Sequence, residues 1–530
     1  MLPPGGRGSS DFARREKPRA CGGVGGYHSL HSLSSDYELI FEDTEVATEA
    51  APTTAAGVAT SHPIGFWFIF SGELAERASF YGMKAILTMY LVHSFAYSRD
   101  EASKVVHLYV AACYFTPLIG GFLADRYFGK YWTIVGFSIP YIVGQFIVGL
   151  SNEYLALGAL GLLAFGSGII KPNISTLMGL TYDQQRPGQE QLRSQAFAWF
   201  YVSINIGSAL STIVCPKLRD YFGNADPETG VPADPQTGYM YAFMFPAILM
   251  AVALGCFAAG KRYYAVETIT PPGDLSPEAR AERWSVLRRV GGLFFLVMFF
   301  WAIFDQHAST WIYFANDYLD LNVAGYRIAP DSIQALNPIF IVLFVPIVNW
   351  FFARLAARGI AVRPTDKMIA GFLLTAFCMA IHAGAGYIAI RPDGTIQKVS
   401  ILWQVFAFVV ITFAEILISV TGLELAFTAA PKSMKSFVTA IWLLFVGFAN
   451  LFVNTPVTQM YPSDKPAVFA VFGLKIVELP KFTDASAYFL ALTLAMILVT
   501  IVFVFVARRF NASQPAPTPD DARRDVSAAE

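Results

Sequence analysis

The chain has 530 residues, of which 55% are hydrophobic, 15% aromatic and only 15% charged, and its mean hydropathy is +0.47. Soluble domains carry roughly 25% charged residues, so an ordinary soluble fold is excluded. The 38 basic and 39 acidic residues nearly cancel, which leaves no cationic excess to attract nucleic acid.

Residues 1–62 are rich in Gly, Ser, Ala and charge, lack the apolar core of a cleavable leader, and are expected to form a disordered cytoplasmic tail. Apolar stretches of spanning length then recur. Their cores lie at 63–93, 104–125, 130–150, 153–178, 192–213, 238–262, 288–315, 333–355, 367–390, 400–429, 435–459 and 483–508. This is the pattern of an all-α membrane protein with about twelve transmembrane helices. The five cysteines are scattered, without metal spacing or a disulfide framework, and read as inert packing thiols.

Loop charge orients the helices. DRYFGK (Asp125–Lys130), GKRYY (Gly260–Tyr264), RWSVLRR (Arg283–Arg289), ARLAARGIAVRPTDK (Ala353–Lys367), PKSMK (Pro431–Lys435) and ARRF (Ala507–Phe510) share one side, while GNADPETGVPADPQTG (Gly223–Gly238) opposite them is poor in basic residues. The basic side is expected to be cytoplasmic, with both termini inside. The longest cytoplasmic link, 265–287, carries the amphipathic SPEARAERWSVLRR and separates a first six-helix bundle, 63–264, from a second, 288–510. Residues 511–530 read as another disordered cytoplasmic tail. Two six-helix halves around a cavity describe the major facilitator architecture, and GGFLADRYFGK (Gly120–Lys130) resembles its loop signature.

The first span breaks the apolar pattern with Glu73, Glu76, Arg77 and Lys84. Glu73, Glu76 and Arg77 fall at i, i+3 and i+4, so they share a helix face and Glu73 reaches Arg77 one turn on. Glu73 lies ~15 Å along a helix that starts near Pro63, close to mid-bilayer. Each such charge costs roughly 2.5–3.5 kcal/mol if it faces lipid, so the group belongs against a cavity and in mutual compensation. An amphipathic cytoplasmic helix is the plainer reading, and the apolar runs on both sides oppose it. Lys171 interrupts span four at a depth where Glu73 could meet it; snorkelling to the cytoplasm is its alternative. Glu415 lies near the middle of span ten, with Ser419 one turn later on the same face. Asp305 lies about two-thirds outward along span seven and His107 near the outer end of span two. The pair could form an outer gate, although a histidine near a helix end is often only interfacial. Cations in the first half and carboxylates in the second would suit a zwitterion. Tyr81, Tyr114, Trp301 and Trp442 are available to wall its pocket, or simply to pack.

These residues sit in motifs that resemble the proton-dependent oligopeptide transporters, the peptide transporter branch of the major facilitator superfamily. ELAERASFYG resembles the E-x-x-E-R signature on helix one, GSGIIKPNIS the helix-four motif with Lys171 in its lysine position, and FAWFYVSINIGSAL the helix-five signature with Asn205 in its asparagine position. FWAIFDQHASTW, ALNPIFI and AEILISVTGLELAFTAAPKSMKSFVTAIWLL are similar to helices seven, eight, ten and eleven. The resemblance implies a proton-coupled symporter importing di- and tripeptides by alternating access, with no enzymatic activity and no cofactor besides protons. Its expected partners are the peptide and the lipid bilayer of a cell membrane, plasma or bacterial inner, and it is expected to act as a monomer. The rivals are the same fold carrying a nitrate-like anion or an amino-acid-like zwitterion, and a membrane receptor that does not transport.

By position, the resemblance implies proton coupling at Glu73, Glu76, Arg77, His107 and Asp305, with Glu73 exchanging between Arg77 and Lys171. It places the peptide carboxylate near Lys84, Lys171 and Arg77, its amino terminus at Glu415 beside Ser419, and its backbone on Asn205 and Asn337. Tyr81, Tyr114, Trp301 and Trp442 would line the site. Two positions depart from the family. Lys84 stands where an arginine is usual and loses the bidentate fork, and Phe80 replaces the first tyrosine of a pair. The links are also too short for the two additional helices of many bacterial members and for the outer domain of animal intestinal-type members.

Overall fold

The computed structural model describes residues 61–150, 152–267, 269, 276–360, 362–428, 435–463, 467–471 and 474–512. The expected tails lie outside these, apart from 61–62 and 511–512, as do most of PKSMK and the side chain of Arg289. The helices are α1 (Ile64–Phe95), α2 (Arg99–Leu123), α3 (Gly129–Val148), α4 (Glu153–Gln185), α5 (Glu190–Phe222), α6 (Pro235–Ala259), α7 (Pro277–Phe304), α8 (Thr310–Tyr318), α9 (Leu336–Ala357), α10 (Pro364–Ala389), α11 (Leu402–Thr428), α12 (Lys435–Phe448), α13 (Thr455–Thr458) and α14 (Ala485–Ala512). A 3-10 turn, Asp305–Ala308, joins α7 to α8, and a π turn, Ala449–Asn454, joins α12 to α13. Each pair makes one broken crossing.

Among the described residues, ten segments are long and apolar enough to span a bilayer, and one of them, Arg99–Val148, contains both α2 and α3. The twelfth crossing is α1, which is not among the ten. Its 32 residues reach ~48 Å at 1.5 Å per residue, ample for a span, but its ionisable residues depress its hydropathy. Helix α7 begins at Pro277, so the amphipathic link expected before residue 288 is the first three turns of that helix.

Helices α1 to α6 pack among themselves, with α1 against α5 and α6 and α3 against α4 and α6. Helices α7 to α14 do likewise, with α10 against α11 and α14. This is the major facilitator arrangement of two helical halves. Glycines permit the tightest crossings. A Cβ on Gly207 would lie 2.5 Å from the Leu74 carbonyl oxygen, and one on Gly120 2.7 Å from Ile169 Cα. Among the described residues, six short strands occupy the links at the end where α1 finishes, the far end: β1 (Leu319–Asp320), β2 (Asn322–Val323), β3 (Tyr326–Arg327), β4 (Val399–Ser400), β5 (Ala467–Val471) and β6 (Leu474–Leu479). β1 pairs in parallel with β4, while β2–β3 and β5–β6 are antiparallel ladders.

The hydrogen bonds and ion pairs seen between the halves lie from mid-depth to the far end. Gln334 donates to the Ala85 carbonyl at 3.3 Å, Thr88 donates to the Ala308 carbonyl, and Tyr313 donates to the Arg99 carbonyl at 3.0 Å. Arg99 clamps Asp317, and buried Arg219 on α5 pairs with buried Asp331 before α9. The far end is therefore shut by polar contacts; among the described residues no such tie is seen at the near end. The α1–α5 crossing gives a direct test of the packing. Gly207→Val should destabilise the protein by about 1–3 kcal/mol through overpacking. Gly255→Val, at an exposed α6 position with no neighbour within 4 Å, should leave the melting temperature of the detergent-solubilised protein almost unchanged.

Candidate functional site

Glu73, Glu76 and Arg77 are 2%, 1% and 1% exposed. Arg77 Nε lies 3.3 Å from Glu73 Oε1 and also donates to Glu76 Oε2. The guanidinium stacks over Phe80, 5.4 Å from the ring centroid, so the residue standing in place of a tyrosine still holds the arginine by its ring face. Two carboxylates share one guanidinium, which leaves the triad one negative charge in excess when both are ionised. Lys171 on α4 lies within electrostatic range of all three groups. It makes no ion pair within 4 Å among the described residues, and its Nζ sits 5.3 Å above the Tyr114 ring. Its side chain is exposed at a mid-helix position of α4, beside the Tyr114 ring and within reach of the α1 triad.

A second constellation bridges the halves. Lys84 Nζ on α1 lies 3.6 Å from Asp305 Oδ1, both buried. The other Asp305 oxygen accepts from Asn450 Nδ2 at 2.6 Å, and Asn450 Oδ1 lies 2.9 Å from His107 Nδ1. His107 Nε2 is 2.9 Å from Ser309 Oγ. With the Asn450 amide donating to Asp305, its oxygen must accept, so Nδ1 of His107 carries a proton and Nε2 of the neutral ring accepts from Ser309. Both helix breaks serve this array: the 3-10 turn carries Asp305, and the π turn turns Asn450 inward. Irregular backbone of this kind is concentrated at functional sites. His107 is thus a buried network residue, not an interfacial one, and it reaches Asp305 through Asn450.

On the second half, Glu415 Oε2 accepts from Asn337 Nδ2 at 2.7 Å, and the same amide donates to Thr412 Oγ1 at 3.2 Å. Among the described residues Glu415 has no cation within 4 Å; its hydrogen-bond partner is neutral. Ser419, half-buried, lies one turn beyond it. Asn337 is therefore occupied in holding Glu415 in this conformation. Tyr81 lies within electrostatic range of both Glu415 and the α1 triad, and Tyr114 within range of Glu415 and Asp305. These two tyrosines span the space between the halves. Asn205 donates to its own helix at the Tyr201 carbonyl, 2.9 Å away. Trp301 keeps a buried indole N–H without a partner. Trp442 is buried against Gly422, where a Cβ would fall 2.0 Å from the ring, and meets Phe294 edge-on at 5.1 Å. It packs α11 to α12 rather than presenting an open face.

The sequence reading omitted Asn450 and Ser309. Neither is ionisable, so neither stood out in an apolar helix. It also omitted Tyr201, which is 44% exposed and within electrostatic range of Glu415 and Tyr81; its place one turn before Asn205 was the available signal. Among the described residues no group of three or more His, Cys, Asp or Glu side chains is placed to hold a metal.

The POT family model matches residues 131–279 and 274–472. The chain belongs to this family. It is 30% identical over 479 residues to peptide transporter 3 of Caenorhabditis elegans, covering 80% of this chain and 64% of that protein. It is 31% identical to solute carrier family 15 member 1 of Homo sapiens, covering 62% and 53%. The chain thus spans about half to two thirds of the length of these curated relatives. Among solved structures, the POT family transporter PepTSo aligns with TM-score 0.69 and 27% identity over 86% of this chain and 99% of its own. A mutant peptide transporter POT in complex with alafosfalin aligns with TM-score 0.71 and 22% identity, over 86% and 97%. These likenesses fit the two-half helical architecture of this POT-family chain.

Removing one member of the bridging pair leaves the other charge buried without a counter-ion, which typically costs about 3–5 kcal/mol. Lys84→Ala and Asp305→Ala should each lower stability on that scale. The double variant should lose less than the sum by about 0.5–3 kcal/mol, read from denaturant unfolding in detergent.

Proposed function

We propose that this chain imports di- and tripeptides together with protons, working by alternating access. The observation that carries the proposal is a pair of unmatched opposite charges on facing halves: Lys171 has no carboxylate and Glu415 no cation within 4 Å among the described residues. A zwitterion supplies both missing partners at once, its carboxylate to Lys171 and its ammonium to Glu415. Tyr81 and Tyr114 between them supply hydroxyls for the peptide backbone, and the free indole N–H of Trp301 can donate to a peptide carbonyl. A simple anion would meet Glu415 as a like charge. The names of the relatives as peptide transporters support the same reading.

The geometry also supplies a coupling scheme. With the far end shut by polar contacts, the proposed state is one open toward the near side, which loop charge marks as the cytoplasmic side. Protonating Asp305 neutralises the partner of Lys84, and that releases both the lysine and the tie between halves. His107, joined to Asp305 through Asn450, is the entry point for that proton. The proton passes on to the Glu73/Glu76/Arg77 triad, where neutralising one carboxylate removes the excess negative charge and loosens the hold on Arg77 and Lys171. Lys84 is bound to Asp305 here, so carboxylate capture falls first to Lys171. Asn337 yields to the incoming ammonium or stays to orient Glu415, and Asn205 and Ser419 lie on the helices that border the site. The membrane potential adds ~2.3 kcal/mol per charge per 100 mV to the driving force. The proposed setting is a cell membrane with both termini cytoplasmic, the chain acting as a monomer and using protons with no cofactor. Bundles 63–264 and 288–510 are the proposed rocking units.

The test is uptake of a labelled dipeptide into proteoliposomes under an inward proton gradient. The parent should accumulate peptide only with the gradient. Glu76→Gln should abolish that accumulation while keeping gradient-free exchange, and Glu415→Gln should reduce uptake at least tenfold for free-amino peptides. Accumulation of nitrate or single amino acids, with no peptide accumulated, would overturn the assignment.

A further inference from the structure

The far-end links carry a contact between the halves that lies outside the transport site. On the first half, the link from α5 to α6 folds back on itself at Asp226–Val231. Asp226 Oδ1 accepts from Glu228 N at 2.9 Å, from Thr229 N at 2.7 Å and from Thr229 Oγ1 at 3.0 Å. Backbone bonds close the same turn, Gly230 N to the Asp226 carbonyl at 2.7 Å and Asp226 N to the Val231 carbonyl at 3.0 Å. A side chain that serves the donors of its own turn fixes the backbone there. On the second half, β2 and β3 form a hairpin whose two-residue tip, Ala324 and Gly325, has φ of 51° and 83°. That is the left-handed pair a tight hairpin turn requires. The hairpin is fastened at its base, because β1 just before it pairs with β4 and Ile328 N donates to the Leu321 carbonyl at 2.9 Å.

Arg327, the last residue of β3, joins the two. Its Nη2 donates to the Thr229 carbonyl at 2.5 Å. Gly230 has a φ of +67°, and a Cβ there would fall 2.5 Å from Arg327 Nε, so the guanidinium lies against a position that only glycine fills without displacing it. Asp220 and Asp226 lie within electrostatic range of Arg327, but among the described residues its hydrogen bond goes to the carbonyl. The contact bridges a gap rather than a packed interface. A cavity of about 160 Å³ is walled by Arg219, Asp226 and Gly230 of the first half and by Arg327, Ala329 and Pro330 of the second. Opening such a contact exposes little apolar surface and costs chiefly one charge-assisted hydrogen bond. We propose that Arg327 on the β2–β3 hairpin is a reversible latch, which hooks the Asp226–Val231 turn and holds the far end shut. The inference rests on the alternating-access reading and adds to it a tie made by the links, outside the helices that carry the transport site.

The test uses the full chain in lipid nanodiscs, with nitroxide labels on Tyr154→Cys and Tyr387→Cys, exposed positions at the far ends of α4 and α10. Cys21 and Cys256 are replaced by serine, and the other three cysteines are buried. The distance distribution between the labels gives the ratio of far-open to far-shut molecules. Arg327→Ala should raise that ratio about tenfold. Asp226→Ala, which dissolves the turn from the other side of the contact, should raise it as well. The double variant should go no further than the larger single effect, because both changes remove one contact. Arg391→Ala, an exposed arginine on a neighbouring link that bonds Gln397, should leave the ratio unchanged. An unchanged ratio in folded Arg327→Ala, or additive effects in the double variant, overturns the latch. Arg99→Ala, which removes the clamp on Asp317, separates the two readings. A raised ratio there but not in Arg327→Ala discards the latch alone, and no change in any variant sinks the alternating-access reading with it.

Discussion

Inside a bilayer an ionised side chain is tolerable only beside a partner of opposite charge or beside water, and the interior of this POT-family chain is organised by how far that demand is met. Arg77 is over-supplied with carboxylates, Lys84 is matched to Asp305, and Lys171 and Glu415 are not matched at contact distance. The supporting structure follows from this uneven pairing. Two helices break where Asp305 and Asn450 must turn inward, an amide from α9 steadies Glu415, an aromatic face adds to the carboxylates around Arg77, and one stands in for a counter-ion beneath Lys171. Groups that are fully paired lock a conformation, and groups left short of a partner define where a ligand or a proton must go.

The same demand links binding to movement. The Lys84–Asp305–Asn450–His107 array joins α1 and α2 to α7 and the turn after α12, so any change of charge within it acts on the contact between halves. Farther out, Arg219–Asp331 and Arg99–Asp317 repeat the device with permanently charged arginines. These outer pairs tie the two halves directly. The mid-depth array, which contains both a histidine and a carboxylate, is the proposed place where protonation starts the change.

Much of the charged framework was legible in the sequence because hydrocarbon makes charge conspicuous. Glu73, Glu76 and Arg77 were visible as one helical face from their spacing alone, and Glu415 from its isolation in an apolar run. Span number was legible for the same reason. What escaped was neutral or relational. Asn450 and Ser309 acquire meaning only when folding brings residues some 340 and 200 positions from His107 into contact. Gly422 could not be seen to seat the Trp442 ring. The extension of α7 back to Pro277 was not marked by the apolar run, because its first three turns are polar, while the span itself begins at Val290, beside the expected 288.

The central claim is that Lys171 and Glu415 wait for the two ends of one zwitterion. The most direct measurement is calorimetric binding of a dipeptide to the purified protein beside its N-acetyl and C-amide forms. The account predicts that each blocked form binds at least tenfold more weakly than the free dipeptide, with the acetyl penalty disappearing in Glu415→Gln and the amide penalty shrinking in Lys171→Gln. Equal binding of all three forms to the parent would contradict it, because neither unmatched charge would then be recognising a peptide terminus.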